Sequence, residues 1–287
     1  MVQFVGRAAE LAEITSVIRA VLEGVPGPTV IAITGEAGVG KSRLLSEAVL
    51  DDGGAALRGI QVLHVTGYEP EQPVPLASAQ PMLRALLPGD GPSPRDRIAL
   101  FEAIHGALRH HPRPALIVLD DLQWVDEHSL ALLHYIARGA LAEGIPLGMV
   151  LASRPAARSV AFLASLGRLL GAGYRAVELP PLDGRDAAEL ARRLGAVSDA
   201  ETISHRSGGS PFWIEVLARD VGRGRGDPAA PGDARNVVAG RPLPTVEVGR
   251  ALGWPARRTQ EALEELTAAG VARSGLGGAG LVHDLVR

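Results

Sequence analysis

The sequence feature that most constrains the fold is a glycine-rich loop between an apolar run and a helical pattern. The run covers residues 30–34, the helical pattern starts at Arg43, and the loop between them reads Gly35-Glu36-Ala37-Gly38-Val39-Gly40-Lys41-Ser42. Glycines carry no Cβ, so successive backbone N–H groups can turn towards phosphate oxygens, and the helix N-terminus adds partial positive charge. This order of strand, G-x-x-x-x-G-K-[ST] and helix predicts a phosphate-binding loop.

Two side chains of this loop carry specific chemistry. Lys41 can reach the β- and γ-phosphates of a nucleotide, and the Ser42 hydroxyl can ligate Mg²⁺. Lys41 is also the only lysine of the chain, placed where a compact ammonium on a flexible stem is needed. The alternative, a glycine-rich turn that binds nothing, is disfavoured by the complete motif. The predicted nucleotide contacts of the loop are Gly35, Glu36, Ala37, Gly38, Val39, Gly40, Lys41, Ser42 and Arg43.

A second motif follows the apolar segment at residues 115–119, which ends in Asp120 and Asp121. A buried parallel strand reads as a continuous apolar run, and ligands of open α/β sheets bind at the carboxyl ends of strands. We therefore expect Asp120 to hold Mg²⁺ and Asp121 to orient or deprotonate the attacking water. Taken alone, the pair could equally be a solvated turn after a strand. The upstream loop favours the functional interpretation.

Another strand is predicted at residues 147–152, and it leads into Ser153-Arg154-Pro155. An arginine at this strand end could reach the γ-phosphate. The alternative is a surface arginine at a turn.

The remaining pattern alternates strands with helices. Further strands are predicted at residues 61–66 and 175–179, and helices at 76–87, 95–108, 126–141 and 158–170. This alternation is typical of an α/β fold with a doubly wound, parallel, five-stranded sheet. We assign residues 1–180 to this domain.

The pattern after residue 180 is helical and then changes again. Helices at 185–194, 199–207 and 211–221 predict a helical lid subdomain over residues 181–221. Residues 222–244 are rich in glycine, proline and arginine and indicate a linker. Residues 245–287 show two helices and a hairpin, the pattern of a winged helix. Because the second helix carries Glu261, Glu264 and Glu265, we expect an interaction or lid role rather than direct DNA binding.

Composition excludes several classes of function. The net charge of −3 and the 3% aromatic content argue against non-specific binding of nucleic acid or anionic membranes. The absence of cysteine excludes disulfides, thiol chemistry and cysteine-ligated zinc. No signal peptide is recognised, and no stretch reaches the ~18 apolar residues of a membrane span. A soluble cytoplasmic protein without a membrane partner is expected.

Several segments together resemble the nucleotide-binding core of STAND ATPases, a module similar to the NB-ARC domain. They are FVGRAAEL, GEAGVGKSRLL, LIVLDDLQWVDEHSLALLHYIAR, LASRP, SGGSPFWIEVL and VHDLVR. The chain looks most similar to the AAA-like module of large LuxR-type transcriptional regulators from actinobacteria. The resemblance covers almost the whole chain, and the segments LDDLQWVDEHSL and GGSPFWIEVL are far more specific than the glycine-rich loop.

The resemblance implies roles for residues of the first domain. Val5, Gly6 and Arg7 correspond to the segment that lies against the adenine and ribose. Asp120 and Asp121 correspond to the Mg²⁺ acid and the catalytic-base position. Arg154 then corresponds to the sensor arginine.

The resemblance also implies two contacts from the second half of the chain. Pro211 of Gly209-Ser210-Pro211 would pack on the adenine. His283 of Val282-His283-Asp284 would contact the β-phosphate of ADP and hold the winged helix closed. From the residues alone, a solvent-facing histidine near a terminus is the simpler interpretation of His283.

The function implied by this family is a switch that binds ATP or ADP with Mg²⁺. ATP would favour an open, self-associating state, ADP a closed state, and hydrolysis would be slow. The effector would act through regions absent from this chain, since we expect a fragment of a larger regulator, and residues are expected to be missing from the short 222–244 segment. Two alternatives remain: an AAA+ turnover ATPase subunit and a non-hydrolysing, ADP-bound interaction scaffold.

Overall fold

The computed structural model describes residues 4–51, 59–87, 96–222, 257, 260, 272–275 and 278–281. Its α-helices in these ranges are α1 (Ala8–Leu22), α2 (Lys41–Ser46), α3 (Gln80–Leu86), α4 (Arg97–His110), α5 (Glu127–Glu143), α6 (Ala157–Leu170), α7 (Gly184–Arg193), α8 (Ala200–Ser207) and α9 (Pro211–Gly222). Its strands are β1 (Pro28–Thr34), β2 (Gln61–Thr66), β3 (Ala115–Asp120), β4 (Leu147–Ser153), β5 (Tyr174–Glu178), β6 (Ala272–Gly275) and β7 (Gly278–Leu281). Single turns of 3-10 helix cover Glu69–Glu71, Leu122–Trp124 and Gly171–Gly173, and a π-helical turn, Glu47–Asp51, extends α2.

The described residues fall into two compact units. One comprises residues 7–36 and 41–179, and the other comprises the described residues of 4–6, 37–40 and 180 onward. We call them the sheet unit and the helical unit. The predicted limits of the three domains and of the linker stay predictions.

The sheet unit contains one parallel sheet with the strand order β2-β3-β4-β1-β5. This confirms the predicted fold of five parallel strands alternating with helices. Strand β4 is buried throughout and lies between β1 and β3. The edge strands β2 and β5 instead carry exposed residues such as His64 and Arg175. Continuous apolar sequence therefore marks the strands whose two faces are both covered.

Helices pack against both faces of the sheet. Alternate residues of a strand point to opposite faces of the sheet. On one face, strand residues such as Ala32 and Met149 form a buried cluster with residues of α3, α4, α5 and α6. On the opposite face, a Cβ at Gly148 would meet Val17 and Val21 of α1. The glycine therefore lets α1 approach the centre of the sheet closely.

The carboxyl ends of the strands are joined directly by backbone hydrogen bonds. Gly35 N–H donates to Ser153 O over 3.2 Å, so the loop after β1 starts beside the end of β4. Gly67 N–H donates to Asp120 O over 3.0 Å, which joins the end of β2 to the end of β3. A Cβ at Gly67 would collide with the Asp121 carbonyl and lie 2.7 Å from Val125 N. Glycine is therefore required at position 67.

The carboxylate of Asp126 organises the segment after β2. Asp126 is 1% exposed and caps α5. It accepts hydrogen bonds from the backbone N–H groups of Leu76 (2.8 Å), Ser78 (3.1 Å) and Ser129 (2.9 Å) and from the Ser129 hydroxyl (2.6 Å). Burial alone would raise the pKa of this carboxyl, but the hydrogen bonds from Ser129, Leu76 and Ser78 outweigh it and hold the pKa below its ordinary value.

This contact explains one error of the sequence prediction. A helix was expected over residues 76–87, but α3 begins only at Gln80. Leu76 has a φ of 62°, and its N–H donates to Asp126, which lies 50 residues away in sequence. A hydrogen bond from a distant residue thus overrides the local helical pattern. The other predicted helices and strands of the described residues are present, with ends shifted by one or two residues.

The helical unit contains α7, α8 and α9 around an apolar cluster. Alanine, leucine and isoleucine side chains form this cluster, and Val5 packs against it. The pair β6–β7 is antiparallel, as a hairpin requires. Apart from Arg257 and Gln260, the rest of the predicted winged helix lies outside the described residues, as do most of the 222–244 linker and His283. Among the helices that the structure describes, none is long and apolar enough to span a membrane.

Replacement of Asp126 by alanine is predicted to lower the free energy of unfolding by about 3 kcal/mol, because three buried N–H groups lose a charged acceptor. Chemical denaturation measures this difference. Since the pKa is lower in the folded state, this stability is present above the ordinary aspartate pKa and is lost as the pH falls through the folded-state value.

Asp183→Ala is the matched control. Asp183 also caps a helix, but it is exposed and accepts one N–H bond, from Asp186 over 2.8 Å. Its replacement should cost about 1 kcal/mol. Equal losses for the two variants would refute the organising role of Asp126.

Candidate functional site

The glycine-rich loop takes up backbone conformations that favour glycine. Gly38 and Gly40 have φ values of 76° and 96°. These values lie in the left-handed region, which a side chain would strain. The last two residues of the loop, Lys41 and Ser42, are the first two residues of α2. The local geometry is therefore compatible with the predicted phosphate-binding role.

The side chain of Lys41 folds back onto its own loop. Its Nζ donates to the carbonyl oxygens of Gly35 and Glu36, both over 2.8 Å, and the residue is 7% exposed. Burial, and after it the positive charge of Arg154, lower the pKa of Lys41 to about 8. The buried ammonium is thus held by neutral carbonyls.

Both negative and positive side chains lie around this ammonium. Asp121, Asp120 and Glu36 favour the charged form of Lys41, whereas Arg154 opposes it. Coulomb interactions of this kind require that the groups lie close together. The structure therefore brings together four residues that the sequence predicts for the site: Lys41, Asp120, Asp121 and Arg154.

The two acids occupy the end of β3 and the turn after it. Asp120 is the last residue of the strand, and Asp121 has a left-handed backbone with φ 53° and ψ 46°. The Asp121 N–H donates to Asp120 Oδ1 over 2.9 Å, which orients the first carboxylate. The second carboxylate accepts a hydrogen bond at Oδ1 from Gln123 Nε2 over 2.8 Å.

The backbone of Arg154 is fixed at the end of β4. Its N–H donates to Gln123 Oε1 over 2.9 Å. Its carbonyl accepts from the hydroxyls of Ser153 and Ser159 over 2.8 and 2.9 Å. Because both backbone groups of Arg154 are bonded, its side chain starts from a defined position.

Gln123 was not among the predicted site residues. It connects the acid turn to the end of β4, and it is 6% exposed. The motif LDDLQWVD contains this glutamine, but its spacing alone does not show which groups the amide contacts.

The other predicted residues of α2 differ in exposure. Ser42 is exposed, so its hydroxyl can be reached by a ligand. Arg43 forms an ion pair with Glu47, in which Nη2 and Oε2 are 2.8 Å apart. The predicted nucleotide contact of Arg43 would have to form alongside this pair, and it stays a prediction.

The predicted adenine-binding segment has an unusual backbone. Gly6 and Arg7 have φ values of 69° and 63°, immediately before α1. Arg7 Nη1 also lies 3.2 Å from Glu10 Oε1. Within the helical unit, a Cβ at Gly6 would collide with the Asp186 carboxylate. Nucleotide contacts of Val5, Gly6 and Arg7 stay predictions.

Within the helical unit, the start of α9 contacts the segment of residues 37–40. Ser210 Oγ donates to Gly38 O over 3.2 Å, and Phe212 N–H donates to the same oxygen over 3.3 Å. A Cβ at Gly40 would lie 3.6 Å from Pro211. Pro211 therefore lies beside two glycines of the loop, and its packing on adenine stays a prediction. His283 lies outside the described residues.

Comparison with protein families identifies the class to which this chain belongs. Residues 3–152, more than half of the chain, match the family described as AAA ATPase domain. The chain is a member of that family. No curated protein matches the sequence.

Solved structures agree with this fold. Cdc6p from Pyrobaculum aerophilum has a TM-score of 0.57 at 13% identity, over 96% of this chain and 90% of that protein. ORC2 from Aeropyrum pernix, solved as ADPNP-ADP complexes, has a TM-score of 0.57 at 15% identity, over 99% and 92%. ORC1 from Aeropyrum pernix, solved in complex with DNA, has a TM-score of 0.56 at 17% identity, over 98% and 90%. At such identities the likeness concerns the fold.

The lowered pKa of Lys41 predicts a pH dependence of nucleotide affinity. Phosphates bind the ammonium, but the free protein loses this proton as the pH rises through about 8. Binding must then take up a proton, so affinity should fall by about tenfold between about pH 7 and about pH 9. Calorimetry in buffers of different ionisation enthalpy measures both the affinity and the proton uptake.

Lys41→Ala is the control for this experiment. Loss of the ammonium is expected to abolish nucleotide binding at every pH. Retained affinity in this variant would overturn the assignment of the site. A flat pH profile in the unmodified protein would show that Lys41 keeps its proton without the ligand.

Proposed function

We propose that this chain is an ATP- and ADP-binding switch module with slow, Mg²⁺-dependent ATP hydrolysis. The observation that carries the proposal is the grouping of Lys41, Asp120, Asp121 and Arg154 in a member of the AAA ATPase domain family. Cation, carboxylates and arginine are the groups that phosphoryl transfer requires.

The residues of the site fit a nucleotide. Lys41 is a buried cation whose hydrogen-bond acceptors are two neutral carbonyl oxygens, and burial disfavours its charge. A phosphate would supply the negative charge that the ammonium needs and that the neutral carbonyl oxygens do not carry. The fit to the phosphate groups is thus electrostatic.

The donor set also fits Mg²⁺. Magnesium prefers hard oxygen ligands, often one or two carboxylates together with phosphate oxygens and water. Asp120 and the exposed hydroxyl of Ser42 are oxygen donors of this kind. When bound, the ion would neutralise charge on the phosphates.

The residues of the chain divide the chemistry of hydrolysis among them. Lys41 neutralises the β- and γ-phosphates, and Arg154 supplies positive charge near the γ-phosphate. Asp121 orients the water and accepts its proton. The water oxygen bonds to the γ-phosphorus, the bond to the bridging oxygen breaks, and ADP leaves with that electron pair.

The switch requires that ATP and ADP make different contacts in two states of the protein. ATP would favour an open state that self-associates, and ADP a closed state held by Pro211 and His283. These two roles rest on the resemblance to STAND regulators of the LuxR type. The effector would act through regions outside this chain. We expect the protein to work in the cytoplasm, and we expect this module not to bind DNA directly.

Asp121→Asn tests the hydrolytic step. The amide cannot accept the proton of water, so hydrolysis should fall by about a hundredfold or more, whereas ATP affinity is retained. Single-turnover hydrolysis and calorimetric binding measure the two effects. Unchanged turnover would remove Asp121 from the catalytic role.

His283→Ala tests the switch. Loss of a hydrogen bond to the β-phosphate should speed ADP release by about fivefold or more. Stopped-flow displacement of a fluorescent ADP analogue measures this rate. His128→Ala, on α5, is a control that should leave it unchanged. Identical rates for His283→Ala and the unmodified protein would refute the closing role.

Membership of the AAA ATPase domain family also favours a second candidate, an AAA+ subunit that turns over ATP rapidly. The nucleotide that co-purifies with the chain, together with its hydrolysis rate, separates the candidates. Retained ADP with slow turnover supports the switch. Fast turnover supports the AAA+ subunit, and permanent ADP without turnover indicates an interaction scaffold.

A further inference from the structure

The side chain of Gln123 joins the two strand ends that carry the acid pair and the arginine. Its Nε2 donates to Asp121 Oδ1 over 2.8 Å. Its Oε1 accepts from the backbone N–H of Arg154 over 2.9 Å and from Ser153 Oγ over 3.3 Å. We propose that Gln123 is a positioning residue for ATP hydrolysis, which holds the Asp121 carboxylate in place for the attacking water. This inference rests on the proposed hydrolytic function.

The chemistry of the two neighbours determines which way the amide faces. The Arg154 N–H can only donate, and an ionised Asp121 carboxylate can only accept. A side chain between them must therefore carry an acceptor at one end and a donor at the other. Glutamine provides both on one planar group, whereas glutamate lacks the donor and methionine lacks both.

Burial makes this bridge rigid. Gln123 is 6% exposed, and a buried polar group without a partner is costly, so its hydrogen bonds are strongly favoured over alternatives. The amide therefore has little freedom to move away from Asp121. Gln72 Nε2 also donates to Gln123 O over 3.1 Å, but this bond involves the backbone of Gln123 and is not part of the bridge.

Asp121 needs such a restraint. Its backbone is left-handed, and it stands in a turn closed by the hydrogen bond from Trp124 N–H to Asp121 O, over 2.8 Å. The turn fixes the backbone, but the carboxylate can still rotate about its own side-chain bonds. Reacting groups must be held in a narrow range of positions, and misplacement by about 1 Å can cost about a hundredfold in rate. The Gln123 amide restrains this rotation.

The experiment compares two substitutions of Gln123. Gln123→Glu keeps the acceptor for Arg154 but loses the donor to Asp121, and Gln123→Met keeps the volume but loses both. Both variants should hydrolyse ATP at least about tenfold more slowly in single turnover. In Gln123→Met, which adds no charge, affinity for ATP and ADP measured by calorimetry should change by less than about threefold, because Gln123 forms no hydrogen bond with the loop or Lys41 in the described part of the chain.

Gln72→Met is the matched control. It removes another amide, which donates to the backbone of Gln123 from the segment after β2, but leaves the bond between Gln123 and Asp121 in place. Its hydrolysis rate should stay within about twofold of the unmodified protein. Thermal unfolding of all variants, with and without ADP, shows which of them are folded and bind nucleotide.

A double-mutant cycle with Asp121→Asn distinguishes positioning from general damage to the structure. If Gln123 acts through Asp121, then Gln123→Glu should slow the Asp121→Asn variant by less than about twofold. A further loss as large as in the unmodified protein would overturn the inference. So would an unchanged rate in both Gln123 variants.

The outcomes also separate this inference from the function on which it rests. Asp121→Asn with full activity, or no detectable hydrolysis by the unmodified protein, overturns both. Inactive Asp121→Asn together with fully active Gln123→Glu overturns only the role of Gln123. Loss of nucleotide affinity in a folded Gln123→Met variant also refutes it, because the residue would then act on binding.

Discussion

Parallel pairing of β4 with both β1 and β3 is the constraint on which the candidate site depends. Paired strands run about 4.8 Å apart, so three consecutive strands end within a short distance of one another at one edge of the sheet. The glycine-rich loop, the acid pair and Arg154 each follow one of these ends. The loop that begins at Gly35 and the side chain of Arg154 are more than a hundred residues apart in sequence. The pairing of the strands brings them into one local cluster.

Two buried polar residues of one short segment support this cluster in different ways. Asp126 binds the N–H groups of Leu76 and Ser78 and so shapes the segment after β2. Gln123 faces the site and joins Asp121 to the backbone of Arg154. Because each buried donor or acceptor needs a partner, either side chain limits the conformations open to its neighbours. In this segment, Asp126 therefore contributes to stability and, in our proposal, Gln123 contributes to hydrolysis.

Much of the sheet unit could be predicted because its information is local. Apolar runs located the strands, and the spacing from Gly35 to Ser42 located the loop. The prediction was wrong at residues 76–79, where a helix was expected, because Asp126 lies far away in sequence. It also missed Gln123, whose importance depends on the groups that the fold places on either side of its amide. Both cases involve hydrogen bonds between residues that no local pattern connects.

The sequence by itself determined the phosphate-binding motif, the five parallel strands and the acid pair, since short-range spacing and hydrophobicity encode each of them. Only the tertiary structure decided the strand order, the closure of Lys41 onto the Gly35 and Glu36 carbonyls, and the bridge through Gln123. The pKa of Lys41 belongs to this second group, because burial and the charge of Arg154 lower it. These properties depend on distances between residues that are remote in the chain, and only packing of the sheet and its helices sets those distances.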